Sequence, residues 1–290
     1  MLDPKVLMTI KDLPLVAKTV IDGFMNGYNK STVKGPGLEF SQYRSYQPGD
    51  DLRWLDWRMF ARSDRYYIRE SEIETSISVR FLVDASASMN HDDGGVKKID
   101  YARFLTASLA YLANLQGDAI ALNVFQDGGL FSLPSRLDPQ HLQRLYYNLQ
   151  QIEPAGTFTK PIHYKELFAG NGRKELLIFI TDMYQNGGEI VKLLDTLAAL
   201  KHEVIVFHLM GQNELDFDFK GYSTLEDLET GQTIPISPQA KKQYQATLEQ
   251  HIAGLRMALL GKHIVYKMLS TTQPLDEALR EFLVQRNKGF

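Results

Sequence analysis

The chain has 290 residues, 44% of them hydrophobic and 23% charged, and its 32 basic and 35 acidic side chains leave a formal net charge of −3. That balance fits one large globular α/β domain with an extension, and offers no basic surface for a nucleic-acid backbone. Cysteine is absent, which excludes disulfides, thiolate metal sites and cysteine nucleophiles.

No apolar run approaches the roughly 20 residues that span a bilayer. Asp3, Lys5, Lys11 and Asp12 near the start are unlike a signal peptide, so a soluble, cytoplasmic protein is expected. Residues of about 4–27 have helical spacing, with Leu13, Val16, Val20 and Phe24 on one stripe, and this helix is expected to pack on the main domain. Residues 35–75 contain both tryptophans, Trp54 and Trp57, and all their cations are arginines, interleaved with Asp50, Asp51, Asp56 and Asp64. Arginine suits partly buried bidentate pairing, so a structured, ion-paired segment is expected. These features divide the chain into an N-terminal extension, 1–75, and an α/β domain, 76–290.

From residue 73 to 83 the odd positions are apolar or Thr and the even ones mostly polar, the period of a strand. A helix is expected around Ile99–Leu112, a strand at Ala119–Phe125 and a helix in 139–151. The run Leu176–Ile180 reads as a strand, 188–200 as a helix and Glu203–Phe207 as another strand. A hairpin near 222–236 turns at Gly231, the last strand is about His263–Met268, and a helix of about 274–286 closes the chain. Alternating strands and helices predict a doubly wound, mostly parallel sheet covered on both faces.

In such sheets ligands sit beyond the carboxyl ends of the strands. Asp84, Ser86 and Ser88 follow one strand and Asp182 ends another, so both aspartates are expected at the same sheet edge. Two such carboxylates repel unless a cation or a proton lies between them. Gly156 and Thr157 sit in a loop that brings another hydroxyl. Carboxylates and hydroxyls are hard oxygen donors, suited to Mg²⁺, with Mn²⁺ and Ca²⁺ as alternatives. A lone Asp-x-Ser-x-Ser is also a common helix-capping turn. The stretch Asp92–Gly95 reads as a solvated loop, and His208 as a satisfied core or edge histidine.

Asp84, Ser86, Ser88, Thr157 and Asp182, in that order, resemble the metal-ion-dependent adhesion site of von Willebrand factor A domains. Gly37-Leu38-Glu39-Phe40, the run Arg44–Trp57, then Ala61-Arg62, resemble the signature of the domain-of-unknown-function 58 (DUF58) family, as do Asp227-Leu228-Glu229-Thr230-Gly231. In two places the chain departs from many A domains. Met183 stands where glycine often follows the last aspartate, and Ala155 precedes Gly156. The resemblance implies a von Willebrand factor A-like fold and a non-enzymatic, metal-dependent protein-binding module. The partner would offer an Asp or Glu to the cation, and would be a MoxR-type AAA+ ATPase in protein assembly or maturation. The alternative is a Mg²⁺-dependent phosphohydrolase with Asp84 as nucleophile. Such enzymes want a second aspartate two residues later, where this chain has Ser86, and a hydroxyl does not transfer that proton near neutral pH.

Overall fold

The computed structural model describes residues 3–10, 12–30, 42–47, 57–70, 77–126, 129–138, 140–158, 168, 174–185, 187–219, 224–235 and 240–287, without the side chains of 24–30, 42–44, 68–70, 240 and 283–287. The chain divides into two compact units, Met1–Gly27 with Ser76–Phe290, and Tyr28–Thr75. The N-terminal helices thus group with the α/β body, and the arginine-rich segment stands as a unit of its own.

The larger unit begins with α1 (Pro4–Met8) and α2 (Leu13–Lys30). The single helix expected here is two. Asp3 caps the first through the Lys5 N–H, and Asp12 accepts from the Leu15 N–H to start the second. Aspartate makes a good N-cap because its side chain satisfies a backbone donor that the first turn leaves free. The stripe behaves as the spacing predicts: Leu13, Val16 and Val20 are buried, while the side chain of Phe24 lies outside the described residues.

The smaller unit pairs β1 (Gln42–Ser45) antiparallel with β2 (Tyr67–Glu70), with α3 (Trp57–Ser63) between them. Phe60 stacks on Tyr66 at 4.5 Å, and Tyr46 meets Tyr66 edge-on. Arg62, in the last turn of α3, is exposed. The expected ion-pair partners Asp50, Asp51 and Asp56, with Arg53 and Trp54, lie outside the described residues.

The rest of the larger unit runs β3 (Ser78–Asp84), β4 (Asp92–Asp93), β5 (Val96–Lys97), α4 (Lys98–Leu115), β6 (Ala119–Gln126), β7 (Gly129–Arg136), α5 (His141–Gln150) and β8 (Glu175–Thr181). It continues through α6 (Glu189–Ala199), β9 (Glu203–Met210), α7 (Gln212–Asp216), β10 (Thr224–Glu226), β11 (Thr233–Pro235), α8 (Ala240–Leu260), β12 (Val265–Ser270) and α9 (Leu275–Asn287). Six strands form one sheet in the order β12-β9-β8-β3-β6-β7, parallel except for β7, which runs antiparallel to β6 at one edge.

Successive side chains of the strands serve opposite faces. Phe81, Val83, Ile178, Ile180 and Phe207 join one core with α1, α2, α4, α5 and α9. Leu82, Phe179 and Val206 join the other, with Ile190, Leu193 and Leu197 of α6 and Leu259 of α8. Both faces are therefore covered, as near-continuous apolar strands require. From β3 the chain goes to β6 on one side and later returns to β8 on the other. That makes the carboxyl ends of β3 and β8 the point where strand order reverses, the place where such sheets bind ligands.

Candidate functional site

Asp84 ends β3 and is fully buried. Its Oδ1 accepts from the Ser86 N–H at 2.9 Å, and its Oδ2 accepts from the Thr181 hydroxyl at 2.6 Å. The chain then enters a 3₁₀ turn at Ala87–Asn90. Ser86 and Ser88 are both buried, with their hydroxyl oxygens 3.1 Å apart. Asp182, one residue past β8, is buried as well and accepts from the Tyr184 N–H at 3.1 Å. The Ser88 side chain lies near enough to help lower its carboxyl, which ties it to the first loop. Four of the five residues singled out in the sequence are thus brought together.

Thr157 is the fifth. Its side chain is exposed, while its loop is fastened to the Asp84 loop. The Ala87 N–H donates to the Gly156 carbonyl at 2.9 Å, and the Ala155 N–H to the Ala85 carbonyl at 3.0 Å. Gly156 has φ of 63°, the left-handed region that glycine enters without cost. Met183 also has a positive φ, 59°, a conformation that side chains other than glycine seldom adopt. Its side chain is buried against the α6 face of the sheet, which offsets that strain.

Three charged residues join the site that the sequence reading did not find. Lys98, in the first turn of α4, is buried and reaches Asp182 Oδ2 at 3.1 Å and Glu214 Oε1 at 2.9 Å. Glu214 belongs to α7, and its other oxygen accepts from the Gly211 N–H at 2.6 Å. Glu229, at the tip of the β10–β11 hairpin, lies near enough to feel the charges of Asp182 and Asp84 and the opposing pull of the Ser86 and Ser88 side chains. Only Glu229 had a signal in sequence, as part of Asp227–Gly231. Lys98 and Glu214 are 116 positions apart, and nothing local marks them as partners. The Asp92–Gly95 stretch is also more than a solvated loop. It forms the β4–β5 hairpin, and Asp93 Oδ2 accepts from the Gln212 N–H at 2.6 Å, capping α7.

The charges are unevenly matched. Burial pushes the Asp84 carboxyl up to about 7, the Asp182 charge adds to this, and the bonds from Thr181 and Ser86 pull the other way. Burial is also the largest single influence on Asp182, but the Lys98 charge and the bonds from the Tyr184 N–H and Lys98 together outweigh it and hold that carboxyl below its ordinary value. Burial disfavours the Lys98 charge, and the Asp182 and Glu214 carboxylates reverse this and raise it. Burial, then the charges of Asp182 and Asp84, push Glu229 up to about 7 against the pull of Ser86 and Ser88. One lysine thus faces four carboxyls, and burial with the neighbouring carboxylate charges raises two of them.

This donor set fits a hard divalent ion. It is oxygen only, buried and short of positive charge, and two hydroxyls lie between its carboxylates. Among the described residues no three His, Asp or Glu side chains form a cluster able to hold a metal by themselves. His208 is buried nearby on β9, its Nδ1 2.6 Å from the Tyr266 hydroxyl, and burial lowers it to about 4. It is the satisfied core histidine that its position suggested.

The family described as "Protein of unknown function DUF58" matches residues 42–254. The chain belongs to the DUF58 family. Over 294 aligned positions it is 24% identical to the uncharacterized protein Rv1480 of Mycobacterium tuberculosis, covering 99% of this chain and 92% of that one. Among solved structures it is similar to BatB from Bacteroides thetaiotaomicron, with a TM-score of 0.47, 18% identity, and coverage of 74% of this chain and 100% of that one. It is also similar to the SpRpn10 VWA domain, with a TM-score of 0.42, 9% identity, and coverage of 71% and 95%. The sheet order and the two helical faces described above are those of a doubly wound, mostly parallel α/β fold, here in a DUF58 protein. No helix among the described residues is long and apolar enough to cross a membrane.

Proposed function

We propose that this DUF58 protein is a non-enzymatic, metal-dependent protein-binding module. Asp84, Ser86, Ser88 and Asp182 would hold a divalent cation, Mg²⁺ first, with Thr157 supplied by the adjoining loop. The carrying observation is the buried pair Asp84 and Asp182 at the strand-order reversal, with the Ser86 and Ser88 hydroxyls beside them and too little positive charge to balance them. When bound, the ion supplies an electrophilic position that accepts an acidic oxygen of a protein partner. The chain's own residues fix that position. Thr181 and the Ser86 N–H orient Asp84, and Lys98 and the Tyr184 N–H orient Asp182. A phosphohydrolase with Asp84 as nucleophile would need an acid/base two residues later, and that position holds the Ser86 hydroxyl.

By family resemblance the partner is a MoxR-type AAA+ ATPase. Calorimetry with Mg²⁺ and Mn²⁺ tests the site, and pull-down of such an ATPase with Mg²⁺ or EDTA tests the partner. Cation binding should disappear in Asp84→Ala, and ATPase binding should weaken in EDTA. Cation affinity unchanged by Asp84→Ala sinks the site. ATPase binding indifferent to EDTA separates the partner from the cation.

A further inference from the structure

We propose that the smaller unit presents a docking surface for an acidic segment of another protein, with Trp57 and Tyr66 as apolar anchors and Arg62 and Arg65 as the matching charges. The proposal is independent of the cation reading above. Tyr46, Tyr66, Phe60 and Trp57 meet ring to ring in that order, with centroids 6.3, 4.5 and 6.3 Å apart. None of these four rings is buried. Trp57 is 62% exposed and Tyr66 48%, and α3 has no buried residue. A single exposed aromatic is ordinary, whereas a contiguous group of them marks a place where something binds.

The rings are held in place although they cover nothing. The stacked pair, Phe60 and Tyr66, is joined by the turn Ala61–Arg65. The Asp64 N–H closes that turn onto the Phe60 carbonyl at 2.9 Å, and the Ser63 hydroxyl donates to the Met59 carbonyl at 2.8 Å. Asp64 keeps φ of 55° there, an uncommon conformation for a residue with a side chain. The Tyr46 N–H donates to the Tyr66 carbonyl at 3.0 Å and ties in the last ring. A surface fixed beforehand loses little freedom when a partner binds.

Charge selects the occupant. Residues 57–67 carry Arg58, Arg62 and Arg65 against Asp64 alone. Arg62 and Arg65 both lie in the turn between the stacked rings and are exposed, and neither has an ion-pair partner among the described residues. This positive surplus is local, on a chain of net charge −3. A long polyanion such as a nucleic acid would meet the acidic surplus of the rest of the chain, whereas a short acidic segment needs only the turn. The guanidinium fork pairs carboxylates two bonds at a time. Tryptophan, tyrosine and arginine are also the side chains that most often carry the binding energy of an interface. The occupant therefore combines Asp or Glu with an apolar side chain that covers the rings.

Both tryptophans, Trp54 and Trp57, lie in this unit, so tryptophan emission of the full chain reports on it alone. The probes are synthetic peptides in which Glu alternates with Leu or Phe, a matched set with Lys for Glu, and an oligo-dT strand. The Glu peptides should shift the emission and the Lys peptides should not. Their binding should weaken with added salt, which screens exposed charges, and should be unchanged by EDTA, which separates this surface from the cation site. Trp57→Ala should weaken the Glu peptides about thirtyfold, the loss typical of a hot-spot residue. The double variant Arg62→Glu, Arg65→Glu should weaken them by about tenfold or more and admit the Lys peptides, a gain that misfolding cannot produce. Equal response to Glu and Lys peptides, or response to neither, would overturn the proposal. Tighter binding of oligo-dT than of the Glu peptides, or self-association in sedimentation that Trp57→Ala abolishes, would give the surface another occupant and overturn it as well.

Discussion

Lys98 breaks a local rule. It places a cation in the first turn of α4, where the helix dipole favours anions. Asp182 and Glu214 reverse the balance, at 3.1 and 2.9 Å. Lys98→Met keeps the volume but leaves two carboxylates unpaired, and should cost about 3–5 kcal/mol in urea denaturation. A loss under about 1 kcal/mol would mean that water reaches the pair freely. The unmatched acids make a second prediction. Asp84 and Glu229 are each raised to about 7 in the folded protein, from 3.8 and 4.5. The folded state therefore holds more protons than the unfolded one between about pH 4 and pH 7, and stability falls as pH rises through that window. Thermal melts in EDTA should give a lower Tm at pH 8 than at pH 5. Saturating Mg²⁺ should shrink the gap, and Asp84→Asn should flatten part of it. A Tm that rises over that interval would contradict the assignment.

At the scale of elements, α2 is part of the core rather than an appendage. Val16, Ala17, Val20 and Ile21 are buried in the cluster that also holds Phe81 and Phe207. Ile21→Ala should cost about 2–5 kcal/mol by chemical denaturation, as for other large-to-small core changes. A cost near zero would detach the helix from the core. The strands β3, β6, β8 and β9 were legible because each is a long apolar run. The strand β7 was not. It is a half-exposed edge strand that carries Pro134, and its register with β6 slips between Ile120 and Leu122. Proline is tolerated at an edge because one N–H there faces solvent, and it blurs the alternation that reveals a strand. The helix α8 was missed for a related reason, since most of its residues are exposed and few apolar ones mark an inner face. The site divides in the same way. Asp84, Ser86, Ser88 and Asp182 were legible because strand ends are readable, whereas Lys98 and Glu214 meet only through the fold.

For the whole molecule, the division into two units bears on where function resides. Every residue of the candidate site lies in the larger unit, Met1–Gly27 with Ser76–Phe290. Replacing residues 28–75 by a Gly/Ser linker of about 20 residues, a flexible coil, should leave the Mg²⁺-induced rise in Tm intact. Loss of that rise, with the sheet still folded by circular dichroism, would assign the smaller unit a share of the cation site. The larger unit also joins the two ends of the chain. Leu7 and Leu13 share a core with Leu275 and Phe282, and Pro4 and Lys5 line one surface cavity with Thr272 and Pro274. On the ribosome the core that the first helices enter is therefore completed only when the C-terminal helix has been made. At about 5–20 residues per second, that wait is on the order of tens of seconds. Nascent chains stalled before residue 270 should stay open to protease at α1 and α2, and become resistant only once α9 has left the exit tunnel. In the cell, those exposed apolar stripes are where a chaperone would first take hold of the protein.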